Sequence, residues 1–272
     1  MLSFLKSLIE RNAALAISLR SYRHLAALQR QQPTLTPYGF YLMGHAAMQS
    51  GHFEPEETAV IQNLLDDIAV FIDVGANVGF YTCLARKAGK QTLAIEPLAA
   101  NLDYLYANLQ ANGWHDVEVI ACGLAQQPGT AVLYGSGTGA SLVSGWAGSP
   151  VTIRHTIPLS TLDIVLGSRF AGQPLLIKID VEGVEYDLLQ SADSALALQP
   201  APIWLVEIAF REHHPDGLNP HFAATFEIFW QHGYQAVTAD TAQSPVTPAD
   251  VARWLQTRTR DFGGPNYLFT KL

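Results

Sequence analysis

The chain has 272 residues, of which 49% are hydrophobic, 15% charged and 10% aromatic. This is an ordinary globular composition with enough apolar content for one sizeable core. Its 24 acidic against 16 basic residues leave a formal charge of −8, the wrong sign for the basic footprint of a nucleic-acid binder. The two cysteines, Cys83 and Cys122, exclude a disulfide framework or a four-thiolate zinc site and read as buried thiols in a reducing, cytoplasmic compartment.

Residues 1–32 carry Lys6, Arg11, Arg20, Arg23 and Arg30 against Glu10, leaving +4 there and −12 over the rest. Leu2, Leu5, Leu8, Ile9, Leu15 and Leu19 recur at helical spacing, which predicts a basic amphipathic helix. Docking on the acidic body is favoured over peripheral membrane contact, since one such helix binds membranes only modestly. The apolar run Ala13–Leu19 is far below the ~20 residues that span a bilayer, and no signal-peptide cleavage site follows it.

A break at Pro33–Pro37 follows, and residues 1–60 are read as a helical N-terminal extension to a single domain over 61–272. Strand-like apolar runs there alternate with amphipathic stretches, the rhythm of a parallel sheet with helices on both faces. The pattern predicts strand Ala69–Val74, helix Val78–Ala88, strand Thr92–Ile95, helix Ala99–Asn112 and strand Val117–Ala121. A loop or hairpin insertion over 129–160 breaks the rhythm, with six glycines between residues 129 and 148. Strand Leu175–Asp180, helix Val184–Leu198, strand Ile203–Ala209, helix Phe222–His232 and strands Gln235–Thr238 and Tyr267–Thr270 complete the expectation.

The most informative stretch is Phe71-Ile-Asp-Val-Gly-Ala-Asn-Val-Gly-Phe-Tyr-Thr82. A strand ends in Asp73, passes Gly75 and Gly79, and enters a helix, at the sheet end where such folds bind ligands. Glycine in this turn lets backbone approach a ligand closely. The dinucleotide fingerprint Gly-x-Gly-x-x-Gly is not met, because Asn77 replaces the middle glycine and Phe80 follows Gly79. The turn suits a nucleoside without a diphosphate. Glu96, at the end of the second strand, is placed to accept ribose hydroxyls, as the acid ~20 residues beyond a Rossmann turn does. Ala121-Cys122-Gly123 offers either a slot for a flat base or close packing.

Asp73–Thr82, Ile95-Glu96-Pro97, Thr161-Leu-Asp163 and Leu176–Glu185, with Gly51-His-Phe53-Glu54-Pro55 before them, together resemble the FkbM family of S-adenosylmethionine-dependent methyltransferases. The resemblance runs from about Tyr38 to about Tyr234. It implies an α/β, Rossmann-like, seven-stranded, mostly parallel sheet with an antiparallel last strand, and methyl transfer to oxygen on glycans or secondary metabolites. It implies S-adenosylmethionine as cofactor, with S-adenosylhomocysteine as product, and it adds Glu54, Ala76 and Pro97 to Asp73, Gly75, Asn77, Gly79, Glu96, Cys122, Gly123 and Asp180 as residues of that site. The turn after Pro97 and the 129–156 insertion depart from the family pattern.

On a strand, Lys178, Asp180 and Glu182 would share one face. Three charges on an inner strand covered on both sides are expected only if paired or at the ligand-binding end. A carboxylate there suits removal of an acceptor's hydroxyl proton, and Asp180, Glu182, Lys178 and Glu207 are the candidate catalytic set. The alternative is a structural ion pair at a helix entry. A divalent site from Asp180, Glu182, Glu207 and His213 or His214 is less favoured, since no local metal-binding motif is present. The expected activity is thus methyl transfer to a small-molecule or glycan acceptor, with no nucleic acid involved. A nicotinamide-dependent oxidoreductase and a non-catalytic scaffold are the alternatives.

Overall fold

The computed structural model describes residues 25–261 and 263–271. The predicted basic amphipathic helix falls mostly on residues 1–24, outside the described residues; residues 25–30 are helical. A short hairpin of β1 (Thr34–Leu35) and β2 (Tyr41–Leu42) comes next, followed by helices α1 (Ala46–Ser50) and α2 (Pro55–Leu65). The rhythm then begins with β3 (Val70–Val74), α3 (Phe80–Lys87), β4 (Gln91–Ile95), α4 (Ala99–Ala111) and β5 (Glu118–Ile120). The insertion follows β6 (Gly123–Leu124) and holds β7 (Gly129–Tyr134) and β8 (Arg154–Ser160); then come α5 (Leu162–Leu166), β9 (Leu175–Ile179), α6 (Glu185–Leu189) and α7 (Asp193–Leu196). The chain closes through β10 (Ile203–Glu207), α8 (Phe222–Gln231), β11 (Gln235–Thr238), β12 (Pro245–Val246), α9 (Pro248–Thr257) and β13 (Asn266–Thr270).

The main sheet has eight strands in the order β12-β11-β13-β10-β9-β3-β4-β5, where seven were expected. The additional strand is β12, two residues paired antiparallel to β11 at the edge. A two-residue strand has no periodicity to read, and its proline is tolerated because edge strands have an unpaired side. β5, β4, β3, β9 and β10 run parallel, and β13 is antiparallel to both β10 and β11. Strand order reverses between β3 and β9, the place where sheets of this kind leave a crevice for a ligand.

Alternation along each strand divides the core in two. Ile72, Val74, Ile177, Ile179, Trp204 and Val206 face a layer from α5 to α9 that includes Leu188, Phe222, Phe226 and Trp254. Phe71, Ala94, Leu176 and Leu205 face α2, α3 and α4 with Ile61, Leu84 and Leu105. Phe40, Leu42 and Met48 belong to this second core, and the boundary drawn at residue 60 falls inside α2. Asn108 of α4 binds the N-terminal segment to the domain, accepting from Met43 N–H at 2.6 Å and donating to Met43 O at 2.9 Å.

The helix expected over 184–198 is two short ones. The Asp163 carboxylate accepts from the N–H groups of Ser194 and Ala195, each at 2.9 Å, which fixes the start of α7 after the chain has bent at Ser191. The apolar spacing is helical across the bend and hides it. Within the insertion, β7 pairs antiparallel with β8, and β6 completes a separate three-stranded sheet. Leu133, Ile157 and Leu98 form a small core beneath it.

Candidate active site

The turn after β3 owes its glycines to packing. Gly75 has φ +84°, and a Cβ there would lie 1.8 Å from the Asp180 carbonyl oxygen. At Gly79, φ +85°, it would lie 2.2 Å from Leu105 Cδ1. Within the fold, the close approach that demands glycine is to the exit of β9 and to α4. Asp180 N–H donates to Val74 O at 3.0 Å, so the two loops at the point of reversal are joined backbone to backbone.

A cleft partly open to solvent lies over these strand ends. Of the predicted residues, Gly75, Asn77, Glu96, Pro97, Cys122, Gly123, Asp180 and Glu182 line it, whereas Glu54, Asp73, Ala76, Gly79, Lys178 and Glu207 do not. Glu96 is 4% exposed. Its Oε2 accepts from Asn77 N–H at 2.9 Å, and its Oε1 accepts from Leu98 N–H at 2.8 Å and Asn101 Nδ2 at 3.2 Å. Burial pushes this carboxyl up to about 7, against the pull of those donors. Cys122, Gly123, Leu142 and Ile157 are among the residues lining the cleft. Close packing also operates there, since a Cβ on Gly123 would lie 2.9 Å from Ile157 Cδ1 and Leu159 Cδ2. Asn77 Oδ1 is buried without a hydrogen-bond partner, an acceptor on a residue lining the cleft.

Asp73 is 1% exposed within β3, and its Oδ2 accepts from Thr82 Oγ1 at 2.5 Å. It pairs in register with Lys178, so both point to the α2–α3 face, away from the cleft. Lys178 Nζ donates to Asp180 Oδ2 at 2.9 Å and lies 3.5 Å from Glu57 Oε1. Glu57 is buried and its Oε2 accepts from Asn266 Nδ2 at 2.6 Å. Burial alone would lower the Lys178 ammonium, but Asp180, Glu57, Glu54 and Asp73 hold it well above its ordinary value. Glu57 is pushed up to about 8 by burial, with Lys178 opposing. Glu54 enters this cluster through Tyr81, whose hydroxyl donates to Glu54 Oε2 at 2.8 Å; burial raises its carboxyl as well.

β9 ends at Ile179, and the chain then turns through Glu182 at φ +57°. Strand alternation therefore does not extend to Asp180 or Glu182, and Lys178 and Asp180 stay together through their 2.9 Å hydrogen bond. Asp180 and Glu182 nonetheless both reach the cleft. Burial, then the Asp180 charge, pushes Glu182 up to about 8. Glu207, partly buried at the end of β10 and paired in register with Asn266, is raised well above the ordinary range by burial, Asp180 and Glu182.

Sequence reasoning passed over Glu57, Asn101 and Trp146. Trp146 Nε1 donates to Glu182 Oε2 at 2.5 Å, and the indole stands beside the rings of His213 and His214, 6.0 and 5.6 Å between centroids. Among the described residues, no group of three or more His, Cys, Asp or Glu side chains is placed to hold a metal ion. No described helix is long and apolar enough to cross a membrane.

The cleft thus lies at the reversal point of a mixed sheet, with Glu96 just beyond the end of β4. The solved structures similar to this fold include an O-methyltransferase from Bacillus cereus in complex with SAH, at 12% identity and TM-score 0.47, covering 79% of this chain and 80% of that one. Cofactor-bound Rv0187 from MTB is similar at 16% identity and TM-score 0.45, over 98% and 93% of the two chains. A curated relative, Methyltransferase 1 of Beauveria bassiana (strain ARSEF 2860), is 26% identical over 149 residues, 47% of this chain and 59% of the relative. Less than two thirds of that relative is therefore spanned. Residues 73–236 match the family model described as the methyltransferase FkbM domain. That match covers more than half of the chain and runs from the first glycine turn to β11, and on it the protein belongs to the FkbM methyltransferase family.

Proposed function

We propose that the protein transfers a methyl group from S-adenosylmethionine to a hydroxyl oxygen of a sugar, glycan or related natural product. The observation that carries this reading is the charge of the cleft. Glu96, Asp180 and Glu182 are the charged residues lining it, with no Lys, Arg or His among them. Such a wall offers acceptor oxygens to ribose hydroxyls and no cationic group to the diphosphate of a nicotinamide cofactor. The same deficit of basic groups speaks against a nucleic-acid acceptor.

The residues present fit the donor. Glu96 can accept ribose hydroxyls, the unpartnered Asn77 Oδ1 can accept from a ligand donor, and Cys122, Gly123, Leu142 and Ile157 can hold a flat base. When bound, S-adenosylmethionine supplies an electrophilic methyl on a positively charged sulfur. The chain's part is to align the acceptor, exclude water and remove one hydroxyl proton. Asp180 and Glu182 lie on the cleft wall for that last task. Lys178 donates to Asp180 Oδ2 at 2.9 Å, and burial raises Glu182 to about 8, toward a proton affinity suited to a base.

Incubation with methyl-labelled S-adenosylmethionine and a panel of hydroxylated sugars tests the reading. Label should appear on a sugar oxygen with the wild-type chain and be lost with Asp180→Asn combined with Glu182→Gln. Label on nitrogen or carbon only, or none on any panel member, would contradict it.

A further inference from the structure

Trp146 belongs to the insertion between β7 and β8, yet it is built into the acid end of the cleft. It is 1% exposed, and its Nε1–H takes one oxygen of Glu182 at 2.5 Å. The same ring covers Gly183, where an added Cβ would lie 2.4 Å from Trp146 Cζ3. Ser141, also in the insertion, donates its hydroxyl to the Glu182 carbonyl at 2.5 Å and accepts from Val143 N–H at 2.9 Å. On the other side, Ala147 N–H donates to the His213 carbonyl at 2.8 Å. The insertion is therefore bonded to the loops that follow β9 and β10, with the indole between them. Glu182 itself has φ +57°, a conformation that a non-glycine residue keeps only when its surroundings hold it.

We propose that Trp146 is a positioning residue, whose indole N–H fixes the Glu182 carboxylate in the one orientation that leaves its other oxygen to take the acceptor's hydroxyl proton. The inference rests on reading Glu182 as part of a methyl-transfer site, and it gives the insertion a task in that site. A carboxylate held at one oxygen cannot rotate away from the acceptor, and orientation of this kind is a large part of catalytic advantage. The indole donates and never accepts, so it favours the ionised carboxylate without competing for its proton. The other groups around Glu182 are Lys178 from β9, Asp180 just after it, Glu185 from α6, Glu207 from β10, and His213 and His214 from the following loop. The three carboxylates oppose ionisation of Glu182, and Lys178 and the indole N–H favour it.

The test uses the full chain labelled with ¹⁵N at its tryptophan indoles, followed from pH 6 to 10. The resonance absent in Trp146→Phe identifies Trp146. It should move with a midpoint near 8, the value to which Glu182 is pushed, and stay fixed in Glu182→Gln. In the methyl-transfer assay with the panel sugar that accepts label, Trp146→Phe keeps a ring over Gly183 and removes the donor. Turnover should fall by about 10–10²-fold, and the rising limb of its pH profile should move up by about one to two pH units, the equivalent of one charge-assisted hydrogen bond. The Kd for S-adenosylhomocysteine should not change, which also reports that the variant is folded. Should Trp146→Phe fail to fold, Ser141→Ala, which releases the Glu182 backbone, should lower turnover in the same direction. An indole resonance indifferent to Glu182→Gln, or a wild-type pH profile in a folded Trp146→Phe, would overturn the proposal. If the wild-type chain transfers label to no sugar, the functional reading fails instead, and the indole titration still decides whether Trp146 governs Glu182.

Discussion

Asn77 donates its backbone N–H to Glu96 Oε2 at 2.9 Å, so the turn after β3 and the end of β4 share one carboxylate at the floor of the cleft. A ligand hydroxyl arriving there meets a group whose ionisation is finely balanced. Burial holds Glu96 at about 7, above its ordinary 4.5. In the unliganded fold, the stability this group contributes is full below pH 4.5 and is lost as pH rises through 7.

Binding of a ribose should reverse that balance, because hydroxyl donors favour the ionised carboxylate. S-adenosylhomocysteine should therefore bind more tightly as pH rises from 6 to 8, with release of a proton. Glu96→Gln should flatten this dependence, and Glu96→Ala should weaken binding by about 1–3 kcal/mol, the range for charge-assisted hydrogen bonds. Calorimetry in buffers of different ionisation enthalpy reads the proton directly; no release in the wild-type chain would show that Glu96 does not meet the ligand.

Lys178 holds together carboxylates from three elements, and removing it should be costly. Lys178→Met leaves Asp180 and Glu57 without their counter-ion, a loss of about 3–5 kcal/mol by analogy with other broken buried pairs. The cost should be smaller at pH 6 than at pH 8. Glu57, pushed to about 8, is protonated in the fold at the lower pH, and the charge that needs Lys178 appears as pH rises through that value. Urea unfolding at the two pH values measures the difference.

Gly75→Ala and Gly172→Ala separate close approach from backbone strain. Both glycines have positive φ, +84° and +80°, but an added Cβ meets the Asp180 carbonyl at 1.8 Å in the first and nothing within 4 Å in the second. Gly172→Ala should cost about 1–2 kcal/mol for the left-handed conformation alone. Gly75→Ala cannot be accommodated without parting β3 from the exit of β9, and it should unfold at far lower urea or fail to accumulate.

The parts of this molecule that a single chain segment determines were legible in its sequence. Val70–Val74 and Leu175–Ile179 are buried on both faces and read as apolar runs interrupted by one charge each, Asp73 and Lys178, and Gln235–Thr238 has the bounds observed. Glu96 could be placed at a strand end because the apolar run stops there. Partnerships made across the fold left no local signal. Glu57 carries no local signal in the sequence, and only the packing of α2 on β9 brings it to Lys178. Trp146 reads as an isolated aromatic in a glycine-rich stretch, and its link to Glu182 exists only once the insertion folds back over the sheet. The β1–β2 hairpin and β12 are too short for any periodicity.

The carboxylates at the acid end are expected to act in the chemical step and not in cofactor binding. Asp180→Asn and Glu182→Gln preserve shape and remove charge, and the one that serves as base should slow turnover by about 10²–10⁴-fold, with little change in the Kd for S-adenosylhomocysteine. Activity surviving both changes would leave alignment and water exclusion as the agents. Loss of activity in EDTA, restored by Mg²⁺ or Mn²⁺, would move Asp180 and Glu207 into ligand roles.

The central claim is that a cleft walled by Glu96, Asp180 and Glu182 takes an S-adenosyl donor and refuses a dinucleotide. Thermal unfolding of the full chain with S-adenosylhomocysteine or NAD tests it most directly. At a concentration 100 times its Kd, S-adenosylhomocysteine should stabilise the fold by about 2.7 kcal/mol, with the shift reduced in Glu96→Ala, and NAD should give none. An equal shift with NAD, or no shift with S-adenosylhomocysteine, would contradict the account.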